Sequence, residues 1–216
     1  MAAHPEMRRT VEGWTEALRS WMDDLGTRGS ELSSIVYDYR AVAGPLDPEP
    51  ALDATVRSAR DHPGFIRHLA RRAVNLRPPT GFFRNLVVED KGEHAGRLDV
   101  KHRGIVPIGN LARVYAVRAG AVGAKDTRSR LTAASDAGVV DRGTSDELME
   151  SFRFLWEIRL RHQAGQVRAG EAPDDFVDPS TLGPVARRGL REAFLVIGRA
   201  QKALAGDVGI GAVRLR

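Results

Sequence analysis

A mainly α protein is what this sequence predicts: a helical bundle with a short β-hairpin and one orphan strand. Three observations predict it. Seven segments carry apolar residues at helical spacing, against three short runs, 33–40, 80–90 and 97–104, with the β-branched and alternating character of strands. The segment starting at Ile108 is apolar around most of its circumference, with Leu111, Ala112, Tyr115, Ala116 and Ala119 on one face and Val114 and Val117 outside it. A helix of that kind is surrounded by others, so this one is expected to be central.

The elements follow in order. Met7, Val11, Trp14, Leu18, Trp21 and Leu25 give an amphipathic helix over about Pro5 to Leu25, whose two tryptophans read as core. SSIVYDYR, Ser33 to Arg40, reads as a strand with no earlier strand to pair with, since an isolated strand needs a sheet. After the turn-forming AGPLDPEP come a helix over about Pro50 to Asp61 and a second that starts after His62-Pro63, holds Phe65, Ile66, Leu69, Ala73 and Leu76, and is stopped by Pro78-Pro79. TGFFRNLVVED and RLDVKHRG, joined by the polar loop KGEHAG, read as a hairpin, with Gly104 breaking its second strand and Pro107 opening the central helix. Thr127 to Ala137 is a helix with Asp126 as N-cap and Gly138 behind it. Thr144 or Ser145 caps the longest helix, about Asp146 to Ala169. EAPDDFVDPSTLGP is a polar connector, and the last helix spans about Val185 to Ala205.

Composition narrows the classes. With 216 residues, 42% hydrophobic and 28% charged, the chain can bury the core of an ordinary globular domain. No cysteine is present, which excludes disulfides, thiolate nucleophiles and thiolate metal sites. The net charge of +5 comes from basic residues interleaved with acids, so a mixed-charge surface fits better than a nucleic-acid interface. No stretch is long and apolar enough for a membrane span, and MAAHPEMRRTVEG lacks the apolar core of a signal peptide, so a cytoplasmic location is expected. GxxxxGK[ST], GxGxxG and HExxH are absent. GVGAK at Lys125 lacks the preceding strand of a phosphate loop. None of His4, His62, His68, His94, His102 and His162 has metal-ligand spacing, and His162 reads as a helix-surface histidine.

Polar residues fall where core is expected. Arg159 and Gln163 share an arc of the long helix with Leu148, Phe152, Leu155 and Trp156, and Gln201 lies between Phe194, Ile197 and Leu204. Buried, they require partners. Asp99 and Lys101 are the nearest candidates, Asp38 and Arg40 a second set. Two readings stay open: a polar pocket that binds an anionic or hydrogen-bonding ligand, and a buried structural pair such as Asp99 with Arg159.

VYDYRAVAG (36–44), PPTGFF (78–83), GRLDVKHRGIVPIGNLARVYAV (96–117), TRSRL (127–131), ESFRFLWEIRLRHQ (150–163), DPSTL and REAF (191–194), in this order, resemble the C-terminal part of the bacterial nucleotidyltransferases of the DUF294 family. These are relatives of the protein-PII uridylyltransferases, often found behind cyclic-nucleotide-binding and CBS domains, hence a role in signal transduction. The resemblance implies a helical domain over 48–216 that packs on a catalytic domain and helps to form its substrate site, with 1–47 a remnant of that catalytic domain and the orphan strand the last of its sheet. Catalysis in this superfamily uses a Gly-Ser motif and a D-x-D pair whose carboxylates hold Mg²⁺ on a nucleoside triphosphate, with a third carboxylate from a later strand. Asp38 matches that third carboxylate and Arg40 follows it. Gly29-Ser30 is followed by ELSSIVYD, not by D-x-D. The expectation is therefore a substrate-binding half, not catalytic alone, whose pocket is lined by Arg40, Asp99, Lys101, Arg159 and Gln163. It would need Mg²⁺ and a nucleoside triphosphate only when a catalytic domain is supplied, and would hold no metal of its own. The rival reading is a regulatory module that docks another chain or a second copy of itself through the strand Ile35 to Tyr39. A self-sufficient enzyme would need Asp38, Asp99 and Lys101 to converge.

Overall fold

The computed structural model describes residues 7–23, 39–45, 47–79, 88–89 and 91–211. Among these, seven α-helices and one two-stranded antiparallel sheet run in the order α1 (Val11–Asp23), α2 (Glu49–Ser58, continued by a 3₁₀ turn Ala59–Asp61), α3 (Pro63–Asn75), β1 (Leu98–Asp99), α4 (Val106–Ala119), α5 (Thr127–Asp136), α6 (Arg142–Arg168), β2 (Phe176–Val177) and α7 (Pro184–Asp207). The mainly α expectation holds.

The hydrophobic pattern explains the packing. Pro107, Ile108, Leu111, Ala112, Val114, Tyr115, Ala116 and Val117 are all buried on α4, which packs on α3, α5 and α7. It is the central helix that its all-round apolar sequence predicts. The amphipathic helices close around it, burying Phe65, Leu131, Leu148, Leu155, Phe194, Ile197 and Leu204 in one continuous core that Leu18 and Met22 of α1 also enter. No helix of the described residues is long and apolar enough to cross a membrane.

Helix ends follow local chemistry. Asp126 caps α5 as expected: its carboxylate accepts from the Ser129 backbone N–H at 3.0 Å, and Ser129 Oγ accepts in return from the Asp126 N–H at 3.3 Å. On α6 the start moves four residues earlier than expected. Asp141 is the cap, accepting from the Thr144 N–H at 2.8 Å, while Ser145 is buried and its hydroxyl donates to the Leu131 carbonyl at 3.1 Å, tying α6 to α5. Gly120, at φ +67°, ends α4 with its N–H on the Ala116 and Val117 carbonyls.

The short two-stranded sheet is present, with a partner strand other than the one expected. Residues 33–38 and 80–87 lie outside the described residues, so the orphan strand and the first hairpin strand are not placed. The KGEHAG loop does close, with Glu89 N–H donating to the Arg97 carbonyl at 2.9 Å and Gly96 N–H to the Glu89 carbonyl at 2.8 Å. The ladder partner of β1 is instead β2, with Leu98 opposite Val177 and Asp99 opposite Phe176. That pair sits inside the segment read as a connector, because two apolar residues flanked by acids are too short to register as a strand. β1 itself is two residues long. The alternation that suggested a strand to Arg103 gives way at Lys101–Ile105, a π-helical turn leading straight into α4. Asp99 starts this turn by accepting the His102 backbone N–H at 2.8 Å. Gly104 does not break a strand; it lies buried in the turn, where a Cβ would stand 3.0 Å from Leu155 Cδ1 and 3.2 Å from Phe194 Cε1.

Candidate functional site

α6 carries Arg159, His162, Gln163 and Gln166 at i, i+3, i+4 and i+7, which puts them on one face. After α6 the chain turns back, and β2 pairing with β1 brings Asp174 and Asp175 against that face. Each of these four side chains then finds a partner there. Arg159 Nε donates to Asp175 Oδ1 at 2.6 Å, Gln163 Nε2 donates to the same oxygen at 3.0 Å and to the Asp174 carbonyl at 3.1 Å, and Gln166 Oε1 accepts from the Asp174 N–H at 2.9 Å. His162 Nε2 lies 2.7 Å from Asp174 Oδ1, which also accepts the Phe176 N–H at 2.9 Å. Burial pushes the Asp174 carboxyl up, but the bonds from His162 and Phe176 outweigh it and hold the group below its ordinary value.

The cluster has an inner and an outer tier. Arg159 and Asp175 are 16% and 17% exposed in their side chains, a pair largely out of water. Outside it, Lys101 Nζ lies 3.6 Å from Asp175 Oδ2 and Arg97 Nη1 lies 3.7 Å from Asp174 Oδ2, with 42% and 45% of those side chains exposed. The π-helical turn sets the position of Lys101; such turns recur at functional sites. Val100 N–H donates to the Asp175 carbonyl at 3.1 Å, so turn and acidic pair are locked by backbone.

Of the residues expected to line a pocket, the structure brings Lys101, Arg159 and Gln163 together. Asp99 adjoins them on β1, but its carboxylate faces His102, with Oδ2 2.8 Å from His102 Nδ1, and the Asp99–Arg159 pair does not form. Asp38 lies outside the described residues. Arg40 is exposed beside Tyr39, whose hydroxyl donates to Asp53 Oδ1. Lys125 closes that second cluster, with Nζ 3.3 Å from Asp53 Oδ1 and 4.0 Å above the Tyr39 ring. Burial, then the bond to Asp53, raises the Tyr39 hydroxyl far above its ordinary pKa.

Sequence reasoning missed Asp174, Asp175 and Arg97, and took His162 for a surface residue. The available signal was Asp174-Asp175 directly before Phe176-Val177, acids anchored by an apolar pair. Gln201, the other misplaced polar residue, plays a structural part, since its Nε2 donates to the Ala73 and Leu76 carbonyls at 2.8 Å each, at the end of α3. Among the described residues no group of three His, Asp or Glu is arranged to hold a metal ion.

Comparison with known proteins gives one family. The family model DUF294_C, described as "Putative nucleotidyltransferase substrate binding domain", matches residues 63–208, about two thirds of the chain and the whole span from α3 to α7. Neither the curated proteins nor the solved structures give a match.

Proposed function

The chain belongs to the DUF294_C family of nucleotidyltransferase substrate-binding domains, and from that premise we propose that its outer cations, Lys101 and Arg97, receive an anionic group of the substrate. The single observation that carries this reading is the two-tier geometry. Arg159, Gln163 and His162 hold Asp174 and Asp175 rigidly, while Lys101 and Arg97 reach the same carboxylates only at 3.6 and 3.7 Å with nearly half of each side chain in water. A pair of that kind contributes ~0–1 kcal/mol and exchanges readily for a better acceptor. A phosphate or carboxylate placed over the π-helical turn gains two charge-assisted bonds at little cost in ordering.

In this reading the domain holds and orients substrate, and the carboxylates that bind Mg²⁺ on a nucleoside triphosphate belong to a catalytic domain. The Tyr39–Asp53–Lys125 cluster fastens the segment of Tyr39 and Arg40 to α2 and to the loop after α4. Calorimetric titration with inorganic triphosphate and Mg²⁺ tests the reading. Saturable binding that weakens about tenfold in Lys101→Met is expected, each tenfold being about 1.4 kcal/mol. Equal affinity in wild type, Lys101→Met and Arg97→Met would overturn it.

A further inference from the structure

Beyond the acidic clasp, α5 and α6 enclose an open groove of about 510 Å³, lined by Asp126, Thr127, Arg128, Met149, Phe152, Arg153 and Trp156. Its volume lies in the ordinary range for small-molecule sites, and its composition is that of one: an aromatic and thioether floor with polar groups at the rim. Phe152 and Trp156 meet edge to face, with ring centroids 6.2 Å apart and planes at 76°. Both stay only partly buried, whereas Leu148, Leu155 and Ile158 of the same helix are sealed in the core. The Arg159 guanidinium lies over the Trp156 ring, 4.9 Å from its centroid, and is itself fixed by Asp175, so the indole is held in place.

The rim carries a net positive charge. Arg128 and Arg153 are exposed at its two sides. The one acid among the lining residues, Asp126, is committed to capping α5: its oxygens accept from the Ser129 N–H and hydroxyl at 3.0 and 2.8 Å, and those bonds lower its pKa. It therefore stays ionised and occupied, and two guanidiniums remain against it. A fixed aromatic floor beneath a cationic rim selects a flat ring by stacking and an anion by charge-assisted hydrogen bonds.

We propose that this groove binds a planar aromatic ring joined to an anionic group, the ring against Trp156 and Phe152 and the anion between Arg128 and Arg153. The groove adjoins the cluster at Lys101 only through Arg159, which lies over Trp156. It gives the domain a place to recognise the ring-bearing part of a ligand, separate from an anion-binding surface that needs no ring.

Isothermal calorimetry on the full chain tests this with four probes: AMP, indole-3-acetate, adenosine and ribose 5-phosphate. AMP or indole-3-acetate is expected to bind saturably, and the one that binds identifies the source as a nucleotide or another aromatic anion. Adenosine and ribose 5-phosphate are expected to bind at least tenfold more weakly. Arg153→Gln, an exposed change that leaves the core untouched, should weaken the bound probe about tenfold, Arg128→Gln similarly, and Trp156→Leu more. The probes are titrated also into Lys101→Met, whose anion cluster is weakened; there the preference for the aromatic anion and the loss in Arg153→Gln should persist, which separates this site from that cluster. Binding of neither aromatic anion would overturn the proposal. So would affinities that Arg153→Gln and Arg128→Gln leave unaltered, or ribose 5-phosphate binding as tightly as AMP.

Discussion

Replacing Asp175 by Asn keeps the shape of the side chain and removes its charge. Arg159, buried to all but 16% of its side chain, then faces a neutral amide, and the Nε–Oδ1 contact at 2.6 Å loses its ionic character. A hydrogen bond to a charged partner contributes ~1.5–3 kcal/mol, so a loss of about 2 kcal/mol is expected. For a chain of this size that lowers the melting temperature by roughly 4–8 °C. Urea unfolding of wild type, Asp175→Asn, Arg159→Met and the double variant forms a complete cycle. The coupling between the two positions should exceed about 1 kcal/mol, because each single change strands the other group away from water. Coupling under about 0.5 kcal/mol would refute the reasoning: the clasp would then be a surface pair of no energetic consequence.

Three other outcomes are expected. Gly104→Ala drives a methyl to 3.0 Å from Leu155 and 3.2 Å from Phe194, and should cost ~1–3 kcal/mol by thermal unfolding. Gln201→Met keeps the volume but leaves the Ala73 and Leu76 carbonyls unpaired, and should cost ~1–3 kcal/mol, with faster amide exchange at the end of α3. Asp174 and Asp126 have folded pKa values below their unfolded ones, near ~3.9, so their contribution is full above about pH 4 and fades as pH falls through the folded values. Unfolding midpoints should drop as the pH falls below about 4, and Asp174→Asn should flatten that slope.

The helices were legible because their faces are long enough for a 3.6-residue period to repeat, as on α4 and α7, and because Asp126 and Pro107 mark helix starts with unambiguous chemistry. The partner strand of the sheet was not legible. β1 and β2 are two residues each, they pair across the whole of α4, α5 and α6, and no local periodicity reports a contact that distant. The same topology hid the site. Arg159 and Gln163 stood out as polar residues on an apolar stripe, which predicted partners, but the partners lie on the returning loop, and the nearer acid, Asp99, is taken by the turn it starts. His162 looked superficial for the same reason: its partner Asp174 arrives only when β2 docks.

In the proposed function Lys101 and Arg97 present an anion site on a rigid clasp. Thermal unfolding with and without Mg²⁺ and inorganic triphosphate, which has no ring for the groove at Trp156, compares wild type and Lys101→Met. At about one hundred times the dissociation constant a ligand adds about 2.7 kcal/mol of stability. Wild type should therefore melt several degrees higher with ligand, and Lys101→Met, equally stable without it, should gain much less at the same concentration. Equal stabilisation of the two proteins, or none in wild type, would contradict the account.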